Sequence, residues 1–169
     1  MSRDKKRRQP APKTLSDKEV AARDATALAS IETMEDPARL RNMIANAKRM
    51  ERAAVQDAAF KRLAAVQAGA EEGTVEHALW TAIHAIEEMK REQSGKTIRL
   101  SYLRRDIDRL GLIPAIDRLV AKPGASERYD ELRELGHPEL TAEAVVLKYA
   151  ADFSEDAIAR AQERLGEPA

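Results

Sequence analysis

The sequence predicts an all-α fold: a multi-helix bundle of short capped helices, with Ala-rich N-terminal helices behind a disordered basic arm. Three observations predict it. Alanine, the strongest helix former, supplies 31 of the 169 residues. Large apolar residues recur at helical spacing between one loop signal and the next. No convincing strand is legible: Ile98-Arg99-Leu100 alternates but is too short.

Residues 1–14 contain two prolines and no large apolar side chain after Met1, a composition that does not support packing. Ser16 and Glu19 then form a capping box, across which Leu15 can staple onto Val20. The helix so started should run to about Met34, with Val20, Ala27, Leu28, Ile31 and Met34 on its apolar side. Asp36 and Pro37 supply a second N-cap and first helical residue.

From Pro37 to Gln67 no residue type breaks a helix. However, the stripe Leu40, Met43, Ile44, Ala47 and Met50 is out of phase with the stripe Val55, Phe60, Leu63 and Val66. The slip falls at 51–54. Two helices are preferred over one, because helices of ~30 residues are unusual in small domains.

A loop over 69–73 leads to Thr74, the cap of a helix reaching about residue 93 with Val75, Leu79, Ile83, Ile86 and Met89 inward. Residues 94–124 read as two short helices about Gly111. The first buries Leu100, Leu103, Ile107 and Leu110. Gly111 is expected to be its left-handed stop, with Leu112 folding back on Ile107. Pro114 opens the second helix, which buries Ile116, Leu119 and Val120 and ends at Pro123-Gly124.

Three more helices follow. One covers 126–135 and is closed by Gly136; one covers 141–149, capped by Thr141, with Leu140 stapling onto Val145. The last starts at Ser154, with Phe153 stapling onto Ile158. Glu155, Asp156 and Arg164 sit at the ends its dipole favours. Large apolar residues are denser over 96–166 than over 37–70. The folding core is therefore expected in the C-terminal half, with the 94–124 pair as its hub. The expected division is an arm at 1–14, an Ala-rich helical segment at 15–93 and a compact helical core at 94–169, the last two forming one domain.

The absence of cysteine excludes disulfides and thiolate metal sites. No apolar run approaches the roughly 18 residues of a membrane span, and the basic N-terminus lacks the apolar stretch of a secretory signal. A cytoplasmic location without membrane partners is the expectation. A net charge of zero conceals polarity: residues 1–13 carry a net +5 and residues 127–169 a net −6. A basic arm thus precedes an acidic body, and the two ends can also attract each other.

The basic residues are the main functional signal. Lys5, Lys6, Arg7 and Arg8 could neutralise phosphates, as flexible basic arms do, or simply aid solubility. The 37–62 segment carries a second patch with a net +5, including Arg39, Arg41, Lys48 and Arg49; the alternative is the wet face of an amphipathic helix. The 94–124 pair resembles a helix-turn-helix, and its first helix offers Arg99, Arg104 and Arg105. Its second helix offers only Asp117, Arg118 and Lys122 as readers, so packing is the stronger expectation there.

Other constellations carry less. His77, Trp80, His84 and Glu88 line one helix stripe, but two histidines two turns apart stand roughly 10 Å from each other, too far for one metal. Trp80 beside His84 reads instead as a half-buried anchor, within the fold or at a protein interface. Ser94-Gly95-Lys96-Thr97 lacks both the preceding glycine and the strand of a phosphate-binding loop. Glu88-Met89-Lys90 falls mid-helix with no partner acid on a strand. No nucleophile elbow or Ser/His/Asp grouping is legible, so no enzyme and no cofactor is expected.

The segments LRNMIANAKRMERAAVQDAAFKRL and LRELGHPELTAEAVVLKYAADFSEDAIARAQERL resemble small bacterial all-helical proteins of unassigned function. The resemblance implies an all-helical fold and no activity. Two functions are thus expected from the sequence. The first is a non-enzymatic protein that binds DNA or RNA through its arm and the 39–62 face. The second is a helical adaptor or homo-oligomer that binds protein through its Ala-rich N-terminal helices.

Overall fold

The computed structural model describes residues 16–123 and 127–166. Among them, every element is helical: α1 (Asp17–Glu32), α2 (Pro37–Arg49), α3 (Ala53–Gln67), α4 (Val75–Ser94), α5 (Ser101–Leu110), α6 (Leu112–Ala121), α7 (Glu127–Glu134), α8 (Ala142–Lys148) and α9 (Glu155–Gly166). Short 3-10 turns at Pro138–Leu140 and Ala150–Asp152 flank α8. The expected arm at 1–14 lies outside the described residues.

The predicted caps form. Ser16 and Glu19 make the full capping box of α1. Asp36 accepts from Ala38 N–H at 2.8 Å with Pro37 in the first turn of α2. Thr74 and Thr141 each accept, at 3.2 Å, the backbone N–H three residues ahead. At the end of α7, His137 N–H bonds Leu132 O and Gly136 N–H bonds Arg133 O, with Gly136 at φ +82°. That is a Schellman stop.

The slip at 51–54 is a helix break. The same hydrogen-bond pattern closes α2, with Arg52 N–H on Ala47 O and Glu51 N–H on Lys48 O. Here the left-handed position holds Glu51 at φ +55°, where a side chain is normally disfavoured. Arg52 compensates by gripping Asp24 of α1 at 3.0 and 3.1 Å and Met50 O at 3.2 Å. A residue with no breaker character therefore ends the helix, because its neighbour is anchored.

The core lies elsewhere than composition suggests. Leu40, Leu63, Leu79, Ile83 and Met89 are among the largest fully buried side chains, alongside Ile116, Val120, Leu132 and Val146. One buried cluster runs from Ile31 to Ala161. The N-terminal half contributes fully because Ala59, Ala64 and Ala85 are completely buried, letting helices approach closely where large side chains are few. Counting only large apolar residues misses this.

The hub is also displaced. Helix α4 packs on α3, α6, α7 and α8, and buries Leu79, Ile83 and Ile86 together with Ala82, Ala85 and Met89. The α5–α6 pair leans on it. Gly111 departs from the expected left-handed stop: φ +91° and ψ 162° place it in an extended region that only glycine occupies comfortably. It joins the two helices alone, so α6 starts at Leu112 and Pro114 sits in its third position. A DNA-reading helix-turn-helix uses a turn of three or four residues. In addition, α6 packs on α9, and its Asp117 accepts from Ser154 N–H at 2.7 Å and Ser154 Oγ at 3.0 Å, holding the start of α9. The helix-turn-helix reading is therefore replaced by a packed helical corner.

Candidate functional site

Helices α2 and α4 both pack on α3. The gap between them is a cleft of adjoining cavities along the C-terminal half of α4. One, of about 450 Å³, is floored by Ile44, Phe60 and Leu63 and rimmed by Arg41, Arg49 and Arg91. A second, of about 550 Å³, shares Ile44, Lys48, Phe60 and Glu92 with it and continues to Leu135 and His137. A third, of about 220 Å³, shares Arg41, Glu88 and Arg91 and reaches His84 and Arg99.

The basic candidates divide on this geometry. Arg41, Lys48, Arg49 and Arg99 all line the cleft. Arg104 lies beside it, bound to Glu87. Arg39 faces the other side of α2, toward α1. Arg105 is exposed on α5, with its guanidinium carbon 5.5 Å from the Tyr102 ring centroid. Lys5, Lys6, Arg7 and Arg8 lie outside the described residues. Sequence reading missed Arg91, which faces the cleft from the last turn of α4, where the helix dipole favours a cation.

Acidic side chains from α4 answer much of this charge. Arg41 bonds both carboxylate oxygens of Glu88 and the side-chain oxygen of Gln67 at 3.1 Å. Arg91 shares Glu88 at 3.3 Å. Burial pushes Glu88 up, but the bonds from Arg41 and Arg91 outweigh it and hold its carboxyl below the ordinary value. Lys48 reaches Glu92 at 2.6 Å, an exposed pair spanning the cleft between its two larger cavities. Elsewhere on the predicted 37–62 patch, Lys61 pairs with Asp57 and Glu139, and Arg62 with Glu72. The cleft guanidiniums without an acidic partner among the described residues are Arg49, which donates to Asn46 at 3.2 Å, and exposed Arg99.

Trp80 packs half-buried against the core, with Arg104 stacked 5.3 Å from its ring centroid and His84 at 6.1 Å. His84 Nδ1 lies 3.3 Å from Glu87. Ser94-Gly95-Lys96-Thr97 is a helix terminus: Gly95 takes the left-handed conformation at φ +69° and its N–H bonds Arg91 O at 2.9 Å.

At the far end of the cleft, His137 stacks on Phe60 with centroids 4.8 Å apart. Its Nδ1 is buried 3.2 Å from Asp57 Oδ1, yet makes no aligned hydrogen bond. Burial lowers its pKa, against the pull of Asp57 and Glu139 and with a push from Lys61. Among the described residues, no three His, Asp or Glu side chains are grouped to hold a metal ion. No described helix is long and apolar enough to cross a membrane.

Comparison of the chain with family models, with curated proteins and with solved structures returns no match.

Proposed function

We propose that this chain is a non-enzymatic binding protein that associates with nucleic acid through its basic N-terminal arm and the rim of the α2/α4 cleft. The observation that carries the reading is convergence. Arg41, Lys48 and Arg49 from α2, Arg91 from α4 and Arg99 from the following segment surround adjoining cavities, although 58 residues of sequence separate Arg41 from Arg99. Glu88 pairs with Arg41 and Arg91, Glu92 with Lys48, and Glu87 with Arg104 beside the cleft. The five cations still outnumber the four carboxylates Asp57, Glu87, Glu88 and Glu92 that line the three cavities. Phosphates are the anions such a rim suits, through charge rather than base identity. Arg49 and Arg99 need give up no ion pair with any described residue to engage them. Arg41 and Lys48 would exchange a carboxylate for a phosphate, which limits their contribution.

The test is fluorescence anisotropy of a labelled duplex DNA and a labelled single-stranded RNA with the full chain. Reversing both of these guanidiniums (Arg49→Glu with Arg99→Glu) should weaken binding about tenfold or more, since two phosphate contacts become repulsions. Equal binding by the parent and the double variant would remove the cleft from the interface.

A further inference from the structure

A second groove lies on the opposite side of α2. Helices α1 and α2 both rest on α3, and between them runs a cavity of about 510 Å³. Ala27, Met34, Met43 and Val55 form its floor, and Met50, 53% exposed, stands at its edge. Flexible thioethers adapt to an incoming apolar surface better than branched side chains do. Arg23 and Arg39 stand exposed on the rim.

Helix α1 itself is under-supported. Of its sixteen residues only Ile31 is buried. Residues 17–23 are exposed apart from half-buried Val20, which lies outside the core cluster. Seven residues separate Val20 from Ala27, so helical periodicity puts both on the groove-facing stripe. The apolar stripe of α1 thus outruns the body it packs on, while the groove beside its later half stays open.

Two copies of the chain satisfy both features at once. We propose that the groove between α1 and α2 seats α1 of a second copy, antiparallel, in a two-fold dimer. An axis passing between Arg23 and Asp24 brings Val20 of each copy over Ala27 of the other. It also sets each Arg23 opposite the other copy's Asp24, so the charges match reciprocally, as a two-fold contact requires. Asp24 has capacity for this, because a carboxylate can accept from Arg52 of its own chain and from a second guanidinium together. The acidic first turn of α1, Asp17 and Glu19, then lies along a rim that carries Arg39.

Sedimentation equilibrium of the full chain over a range of concentrations tests this, beside Val20→Glu and Arg23→Glu. Both positions lie outside the core of a single copy, and circular dichroism checks that each variant keeps its helix content. A dimer whose dissociation constant rises about tenfold or more with either substitution supports the proposal, since each puts a charge into an apolar contact or two carboxylates face to face. A monomer at every soluble concentration overturns it. So does a dimer indifferent to both substitutions.

Discussion

Glu87 accepts from Arg104 through both oxygens, at 2.9 Å from Nε and 2.7 Å from Nη2, and also accepts from Leu100 N–H at 2.9 Å. One buried carboxylate in the middle of α4 thereby fixes both the start of α5 and the guanidinium that covers Trp80. Burial pushes the Glu87 carboxyl up, but the bonds from His84, Arg104 and Leu100 outweigh it and hold the group at about 2. A carboxylate depressed on folding stabilises the protein above its unfolded value near 4.5 and loses that stabilisation as pH falls toward 2. The stake is roughly 3 kcal/mol. Urea unfolding should therefore show a steep loss of stability in this window. Glu87→Gln should start roughly 3 kcal/mol less stable and decline less over the same window. Equal midpoints for the two proteins at neutral pH would contradict this role.

The left-handed turn at Glu51 predicts a gain. Glycine occupies φ +55° without the Cβ penalty that a glutamate meets there. Glu51→Gly should raise stability by about 1 kcal/mol, read as a higher urea midpoint with an unchanged slope. A loss of stability would mean that the α2–α3 break is not held by the hydrogen bonds described.

His137 makes the tie between α7, the adjoining 3-10 turn and α3 sensitive to pH. Because its folded pKa is depressed, stability holds above the unfolded value of about 6.5 and is lost as pH falls below it, until the folded value is passed. The groups facing the imidazole are Asp57, Lys61 and Glu139, with Phe60 stacked on the ring. Melting temperatures should fall as pH drops below about 6.5, and the fall should be shallower in His137→Gln whatever its starting offset. An identical slope in both proteins would sink this assignment.

The ion pair across the cleft separates stability from binding. Lys48 and Glu92 have side chains 63% and 39% exposed, so Glu92→Gln should change stability by no more than about 0.5 kcal/mol. The same change frees Lys48 and removes a negative charge from the rim. If the cleft binds phosphates, nucleic-acid affinity at low salt should increase. Unchanged or weaker binding would argue that this rim takes no part.

Much of the architecture was legible in the sequence. The caps at Ser16, Asp36, Thr74 and Thr141 and the stop at Gly136 were readable because each is a local device, set by residues within four positions. The helix break at 50–52 showed only as a phase slip, since its cause is the tertiary grip of Arg52 on Asp24. The position of the core was misread because buried alanines such as Ala59 and Ala85 look unimportant until close helix approach is seen. The cleft was half legible. Arg41, Lys48, Arg49 and Arg99 were identifiable as basic residues, but composition could not place Glu88 and Glu92 opposite two of them, nor Arg39 on the other face.

The most direct measurement is the salt dependence of binding to a labelled duplex by the full chain, by the chain lacking residues 1–13, and by the Arg49→Glu/Arg99→Glu variant. Phosphate neutralisation predicts that the logarithm of affinity falls linearly with the logarithm of salt concentration, by about 0.9 for each phosphate engaged. Truncation and charge reversal should each make the slope shallower, because each removes a different set of cations. A slope near zero, or no binding by the full chain at low salt, would contradict the account.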